Sequence, residues 1–331
     1  MSVRLTRRGL LQSGAALAAA GVMPAAFATP MPGLEILGAP NGATIVLADL
    51  IASGGLDKVA PGASFRLWHT TDELRAAIVA GSSLLYSTPS HVPANLVNRG
   101  MPLKLAAIIG MGHLSVVTAD DSVRSFHDLA GKTVLGFFRH DMPDLVFRAV
   151  ARMEGMDPDK DMTLQYVQTP MEAGQLLAAG KVDTAVLSEP PATAAIMMAG
   201  KNGRAVRRAF DLKDVWGIHK GKARIPMVAV ALHEKLIDTA PEVIAALGSG
   251  LAAARAHVFA DPAAAARLAE KTMEMKPMVF EKALDHFNIE VVPARAVRDE
   301  LVAFYQTLLD LEPEAIGGKL PPDDFYLDLP G

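Results

Sequence analysis

The run KTVLGFF at Lys132–Phe138, followed by PDLVFRAVARME at Pro143–Glu154 and then Gly155, sets the reading of the fold. The first segment is short, apolar and rich in β-formers, so it predicts a strand; the second opens on Pro and is stopped by Gly, so it predicts a helix. The same beat continues C-terminally. Leu164–Val167 reads as a strand and Pro170–Ala179 as a helix ended by Gly180. Thr184–Leu187 is a strand, and Pro191–Ala199 a helix ended by Gly200. Working N-terminally, strands are predicted at Leu34–Gly38, Phe65–Trp68, Leu84–Ser87, Leu105–Ile109 and Leu114–Thr118. Helices fall at Thr44–Ile51, from a Thr71 or Asp72 cap to Ala80-Gly81, and at Pro89–Asn98. Met227–Leu232 is one more strand, and Pro241 to about Leu311 reads as helical. Short strands alternating with helices argue a parallel α/β sheet. The chain therefore holds two α/β blocks, about 29–118 and 122–226, with a helical tail packing back on the first. Loops at the strand carboxyl ends line the cleft between them, where ligands bind by position.

The chain has 331 residues, enough for two domains. Half are hydrophobic and 21% charged, which is a folded composition. With 32 Lys plus Arg against 36 Asp plus Glu, no basic excess points to nucleic acid. There is no cysteine, which excludes disulfides, thiolate metal sites, iron–sulfur clusters and cysteine nucleophiles. Only 5% of residues are aromatic, too few for a broad sugar-stacking platform.

The N-terminus reads as an address. Arg7-Arg8 followed by Gly9-Leu10-Leu11, an apolar Gly14–Ala26 and the small-x-small Ala26-Phe27-Ala28 predict a twin-arginine signal peptide over residues 1–28. The apolar stretch is shorter than the roughly 20 residues of a membrane-spanning helix. The mature chain is expected to begin at Thr29 and to reside in the periplasm.

SFHDLAGKTVLG at Ser125–Gly136, AAGKVDTA at Ala178–Ala185 and SEPPA at Ser188–Ala192 resemble the periplasmic solute-binding components of ABC importers, of the nitrate, sulfonate, taurine and thiamine-pyrimidine type. The resemblance covers nearly the whole mature chain. It implies a bilobal type II periplasmic-binding-protein fold: two parallel-rich sheets with flanking helices, joined by a two-strand hinge. Lobe 1 would comprise 29–118 and 228–331, and lobe 2 119–227, with crossings near Ala119–Ser122 and Lys222–Met227. It further implies capture of a small-molecule solute by a monomer that docks on an ABC permease, with no catalysis and no cofactor. The solute class is polar, anionic or N-heterocyclic.

The resemblance places binding residues in loops matching Asn41-Gly42, Ser87-Thr88, Met111, Arg139-His140-Asp141 and Ser188-Glu189. Each has its own chemistry. Ser87-Thr88 offers hydroxyls ahead of a helix N-terminus, suited to an anion or to a plain cap. Asn41-Gly42 offers an amide and close approach, or a simple turn. Arg139 can clamp a carboxylate, sulfonate or phosphate, or pair with Asp141. It departs from the small residues usual in this family. Glu189 can receive an N–H of a solute or sit as a helix-terminal acid.

Other chemistries are weaker. His91, His113, His140, Asp141 and Glu189 all fall on cleft loops, but none has local metal-ligand spacing, so no metal site is assigned. A divalent metal or metal complex as solute, or an enzyme or accessory protein on the same fold, is the alternative reading. Gly110-x-Gly112-x-x-Ser115 lacks a third Gly, and no G-x-S-x-G is present.

Overall fold

The computed structural model describes residues 30–329; the expected signal segment, 1–28, lies outside them. In chain order the elements are β1 (Glu35–Gly38), α1 (Ile45–Ala52), β2 (Ser64–Leu67), α2 (Thr71–Ala80), β3 (Leu85–Pro89), α3 (His91–Asn98) and β4 (Leu103–Gly110). Next come β5 (Leu114–Thr118), β6 (Thr133–Phe137), α4 (Met142–Met153), β7 (Thr163–Val167), α5 (Pro170–Ala178), β8 (Thr184–Ser188), α6 (Pro191–Lys201), β9 (Arg207–Asp211) and α7 (Leu212–Lys220). The chain ends with β10 (Val228–His233), α8 (Glu234–Thr239), α9 (Pro241–Ala260), α10 (Pro262–Met273), α11 (Pro277–Ala283), β11 (Ile289–Pro293) and α12 (Arg298–Leu311).

Local chemistry explains the helix ends. Thr70, one residue before the predicted cap, accepts the Glu73 amide proton and starts α2. Gly81 ends it with φ +63, a left-handed conformation that glycine adopts without steric cost. Asp141 caps α4 by accepting from Met142 N–H at 2.7 Å. The apolar residues of α4, among them Leu145, Val146, Ala149 and Val150, are buried against the sheet.

Two sheets form. One has the order β11-β4-β10-β3-β1-β2, the other β7-β6-β8-β5-β9. Both are mixed rather than parallel. β1 pairs in parallel with β2 and β3, and β6 with β7 and β8. By contrast β10 runs antiparallel to β3 and β4, and β5 antiparallel to β8 and β9. The two antiparallel insertions are the strands by which the chain enters a sheet from the other lobe. The first entry corrects the expected boundary: β5 belongs to the second sheet, so the chain crosses at Met111–His113, not at Ala119–Ser122. The return lies between α7 and β10, at Gly221–Met227, where the second crossing is expected.

Two strands escape the sequence reading, as do the helices α7 and α8. β9 reads RRAFD, too charged for a core strand, and it occupies a sheet edge beside β5. β11, IEVVP, interrupts the supposedly all-helical tail and is likewise an antiparallel edge strand, on β4 of the first sheet. α9 is long and apolar enough to cross a membrane by length and composition. Here its Val243, Leu247, Leu251, Ala254 and Val258 face is buried, and it packs on α1.

Candidate functional site

The carboxyl ends of β1, β3, β6 and β8 deliver the predicted loops, and the lobes meet where two of these loops face each other. His91, first residue of α3, places Nε2 3.2 Å from Oδ1 of Asp141, the cap of α4. Elsewhere between the lobes α12 touches α4 and α11 touches α6. His140 adds a rim contact, its Nδ1 3.3 Å from Glu312 Oε2. Burial pushes the Asp141 carboxyl up, but the hydrogen bond and charge of His91, the Met142 amide and Arg75 outweigh it, so its pKa is lowered.

The loop carrying Asp141 is held from below. Phe138 and His140 both have positive φ, +49 and +62, which non-glycine residues adopt only when their surroundings impose it. Asp144 holds the His140 end of this turn, and the Asp141 amide closes it by donating to the Phe138 carbonyl. Asp144 Oδ2 accepts from His140 N–H at 2.9 Å, and its Oδ1 accepts from Arg148 Nε at 2.9 Å and from Tyr166 O–H at 2.6 Å. Arg148 also donates to both carboxylate oxygens of Asp159. Burial and the Asp144 hydrogen bond push the Tyr166 hydroxyl well above its ordinary pKa. Arg139 is exposed and lies over the Tyr166 ring, its guanidinium carbon 5.5 Å from the ring centre. It neither pairs with Asp141 nor joins the His91 contact.

On lobe 1, Ser87 is fully buried and its hydroxyl is committed to the scaffold. It accepts from Ala39 N–H at 2.6 Å and lies 3.1 Å from Thr44 Oγ1, tying the β1 and β3 loops together. Thr88 is equally buried and donates to the Pro89 carbonyl at 3.2 Å. Asn41 is partly buried and accepts from Thr44 Oγ1 at 3.4 Å. Gly42 is constrained by space: a Cβ there would fall 2.4 Å from the ring of buried Phe287. The Asn41-Gly42 turn is thus roofed by an aromatic ring that sequence spacing gave no means of finding.

Ser188 ends β8 and Glu189 follows it. Glu189 is buried, and both its oxygens are taken. Oε1 accepts from Arg208 Nε at 2.8 Å and from its Nη2, and Oε2 accepts from Thr193 N–H at 3.2 Å and Oγ1 at 2.8 Å. Met111 is buried at the first crossing, where Asn288 braces Gly112 by donating to its carbonyl. Arg224, on the second crossing, pairs with Glu290 and Glu300.

The polar atoms left over lie elsewhere. His91 is 3% exposed and its Nδ1 has no partner. His113 Nδ1 is likewise enclosed without a partner, and burial lowers the pKa of that ring to about 4. Both histidines stood out in the sequence only as metal ligands. Among the described residues no group of three or more His, Asp or Glu is arranged to hold a metal ion.

This architecture, two sheets crossed twice by the chain with facing loops at the strand carboxyl ends, is the bilobal periplasmic-binding-protein fold. The NMT1-like family model matches residues 70–273, more than half of the chain, and the chain belongs to that family. Solved structures agree on the fold. An ABC transporter protein from Parabacteroides distasonis superposes with a TM-score of 0.73 at 20% identity, over 89% of this chain and 99% of that one. The periplasmic aliphatic sulphonate binding protein SsuA from Escherichia coli gives 0.68 at 19% identity, over 90% and 100%. The periplasmic nitrate-binding protein NrtA from Synechocystis PCC 6803 gives 0.66 at 13% identity, over 90% and 88%. No curated protein sequence is significantly similar to this chain.

Proposed function

We propose that this protein is the solute-binding component of an ABC importer: it captures a small polar solute between its two lobes and presents it to a membrane permease, without catalysing a reaction. The observation that carries this reading is the buried His91–Asp141 contact, which joins strand-end loops of opposite lobes. A solute touching both lobes favours the closed form by its contacts to each. The family match and three structural neighbours whose names are those of transport proteins support the same reading. The test is thermal unfolding of residues 29–331 against sulfonates, carboxylates, nitrate, N-heterocycles and divalent metals. A true solute at 100 times its Kd is expected to stabilise by about 2.7 kcal/mol. A response confined to metals and reversed by chelation would replace the polar solute by a metal. Steady consumption of a compound would replace the binding protein by an enzyme.

We also infer export by the twin-arginine route, from Arg7-Arg8 and the apolar segment behind them. Changing both to Lys is expected to leave the chain in the cytoplasm with its N-terminal segment uncleaved, as read by fractionation and intact mass. Normal export of that variant would sink the inference.

A further inference from the structure

Near these loops Arg208 pairs with Glu189 and Arg224 with Glu290 and Glu300, while exposed Arg139 lies over the Tyr166 ring. Among the described residues the buried atoms left without a partner around the two crossings include Arg224 Nε, Glu300 Oε2 and His113 Nδ1, and, on the inter-lobe contact itself, one nitrogen of the His91 imidazole. One ring nitrogen is fixed by the carboxylate of Asp141 at 3.2 Å; the other is buried and unpartnered. A carboxylate accepts and does not donate, so in the neutral form of the ring it selects the tautomer with the proton on Nε2. Nδ1 is then a lone pair in a buried place, and a buried polar atom left unmatched costs free energy that a suitable partner recovers.

We propose that His91 is a solute-contacting residue that selects for a hydrogen-bond donor. Its Nδ1 accepts from an N–H or O–H of the bound molecule, while Asp141 acts as a positioning residue that sets the ring and its tautomer from the opposite lobe. The inference rests on the solute-binding reading and narrows it, because bare oxyanions such as nitrate or a simple alkanesulfonate bring no donor to this nitrogen. The enclosed, neutral His113 ring adds no cation to the seam either.

Three probes with the same anion separate the possibilities: taurine with an N–H donor, isethionate with an O–H donor, and ethanesulfonate with neither. Calorimetric titration of the wild type is expected to show donor-bearing probes at least tenfold tighter than ethanesulfonate. His91→Phe is expected to erase that difference. His91→Asn, whose amide oxygen falls near the Nδ1 position, is expected to restore part of it. Nitrogen-15 correlations of the histidine rings in the unliganded wild type give an independent reading, with Nε2 protonated and Nδ1 bare expected for His91. Equal affinities for the three probes, a difference that survives His91→Phe, or a proton on Nδ1 would overturn the proposal. If no probe binds, the ring spectrum still decides the His91 assignment. Failure of the whole solute panel then counts separately, against the solute-binding reading.

Discussion

Replacing Glu189 by Ala is expected to cost about 3–5 kcal/mol of unfolding free energy, because it strands the Arg208 guanidinium in a mostly buried place. Glu189 is 1% exposed and accepts from four donors, Arg208 Nε and Nη2 and Thr193 N–H and Oγ1; on its removal only Arg208 Nη2 keeps an acceptor, Thr193 Oγ1. Urea denaturation followed by circular dichroism reads the loss. The double variant Glu189→Ala with Arg208→Leu is expected to recover much of it, since removing both charges removes the stranded one. A role for Glu189 as a direct solute ligand predicts the reverse: near-normal stability with binding lost. An unfolding free energy within 1 kcal/mol of wild type would refute the scaffold assignment.

Asp144→Ala is expected to be as damaging, again about 3–5 kcal/mol, and its effect reaches the seam. Asp144 is buried and takes protons from Arg148, Tyr166 and the His140 backbone. Arg148 keeps Asp159 and the Tyr166 oxygen as partners, but the Tyr166 hydroxyl proton and the His140 amide lose their acceptor. The positive φ of His140 then loses that restraint, and Asp141 its fixed approach to His91. Hydrogen exchange is the sharper observable: the His140 amide is expected to lose most of its protection in Asp144→Ala while β8 amides keep theirs. Unchanged protection at His140 would show that the loop holds itself.

Much of the fold was legible because strand and helix punctuation is local. Gly155 and Gly180 stop helices in the sequence and follow the ends of α4 and α5 in the structure, whereas α6 runs through Gly200 to Lys201 and the left-handed glycine after it is Gly203. The hinge was misplaced because β5 has the same composition whichever sheet it joins; only its pairing with β8 and β9 assigns it. β9 was unreadable because Arg207 and Arg208 suit an edge strand whose charges are spent on partners distant in sequence, Val123 and Glu189. The site follows the same rule. The loops were identifiable from their places after strands, but not the partners that absorb Ser87, Arg139 and Glu189. Ala39, Tyr166 and Arg208 lie 48, 27 and 19 residues away respectively along the chain. What remains for a solute is decided by subtraction, and no spacing pattern encodes a leftover nitrogen.

The absence of cysteine gives a direct route to the central claim, that the solute is captured between the lobes. Asn202→Cys at the end of α6 and Lys276→Cys at the start of α11 place one exposed label on each lobe, beside the α6–α11 contact, with no background thiol. The distance distribution between two spin labels there should be recorded with and without the compound that most raises the unfolding temperature. The account predicts a shorter and narrower distribution with the compound bound, reversed when it is dialysed away. A distribution that does not change at saturating compound would contradict capture between the lobes.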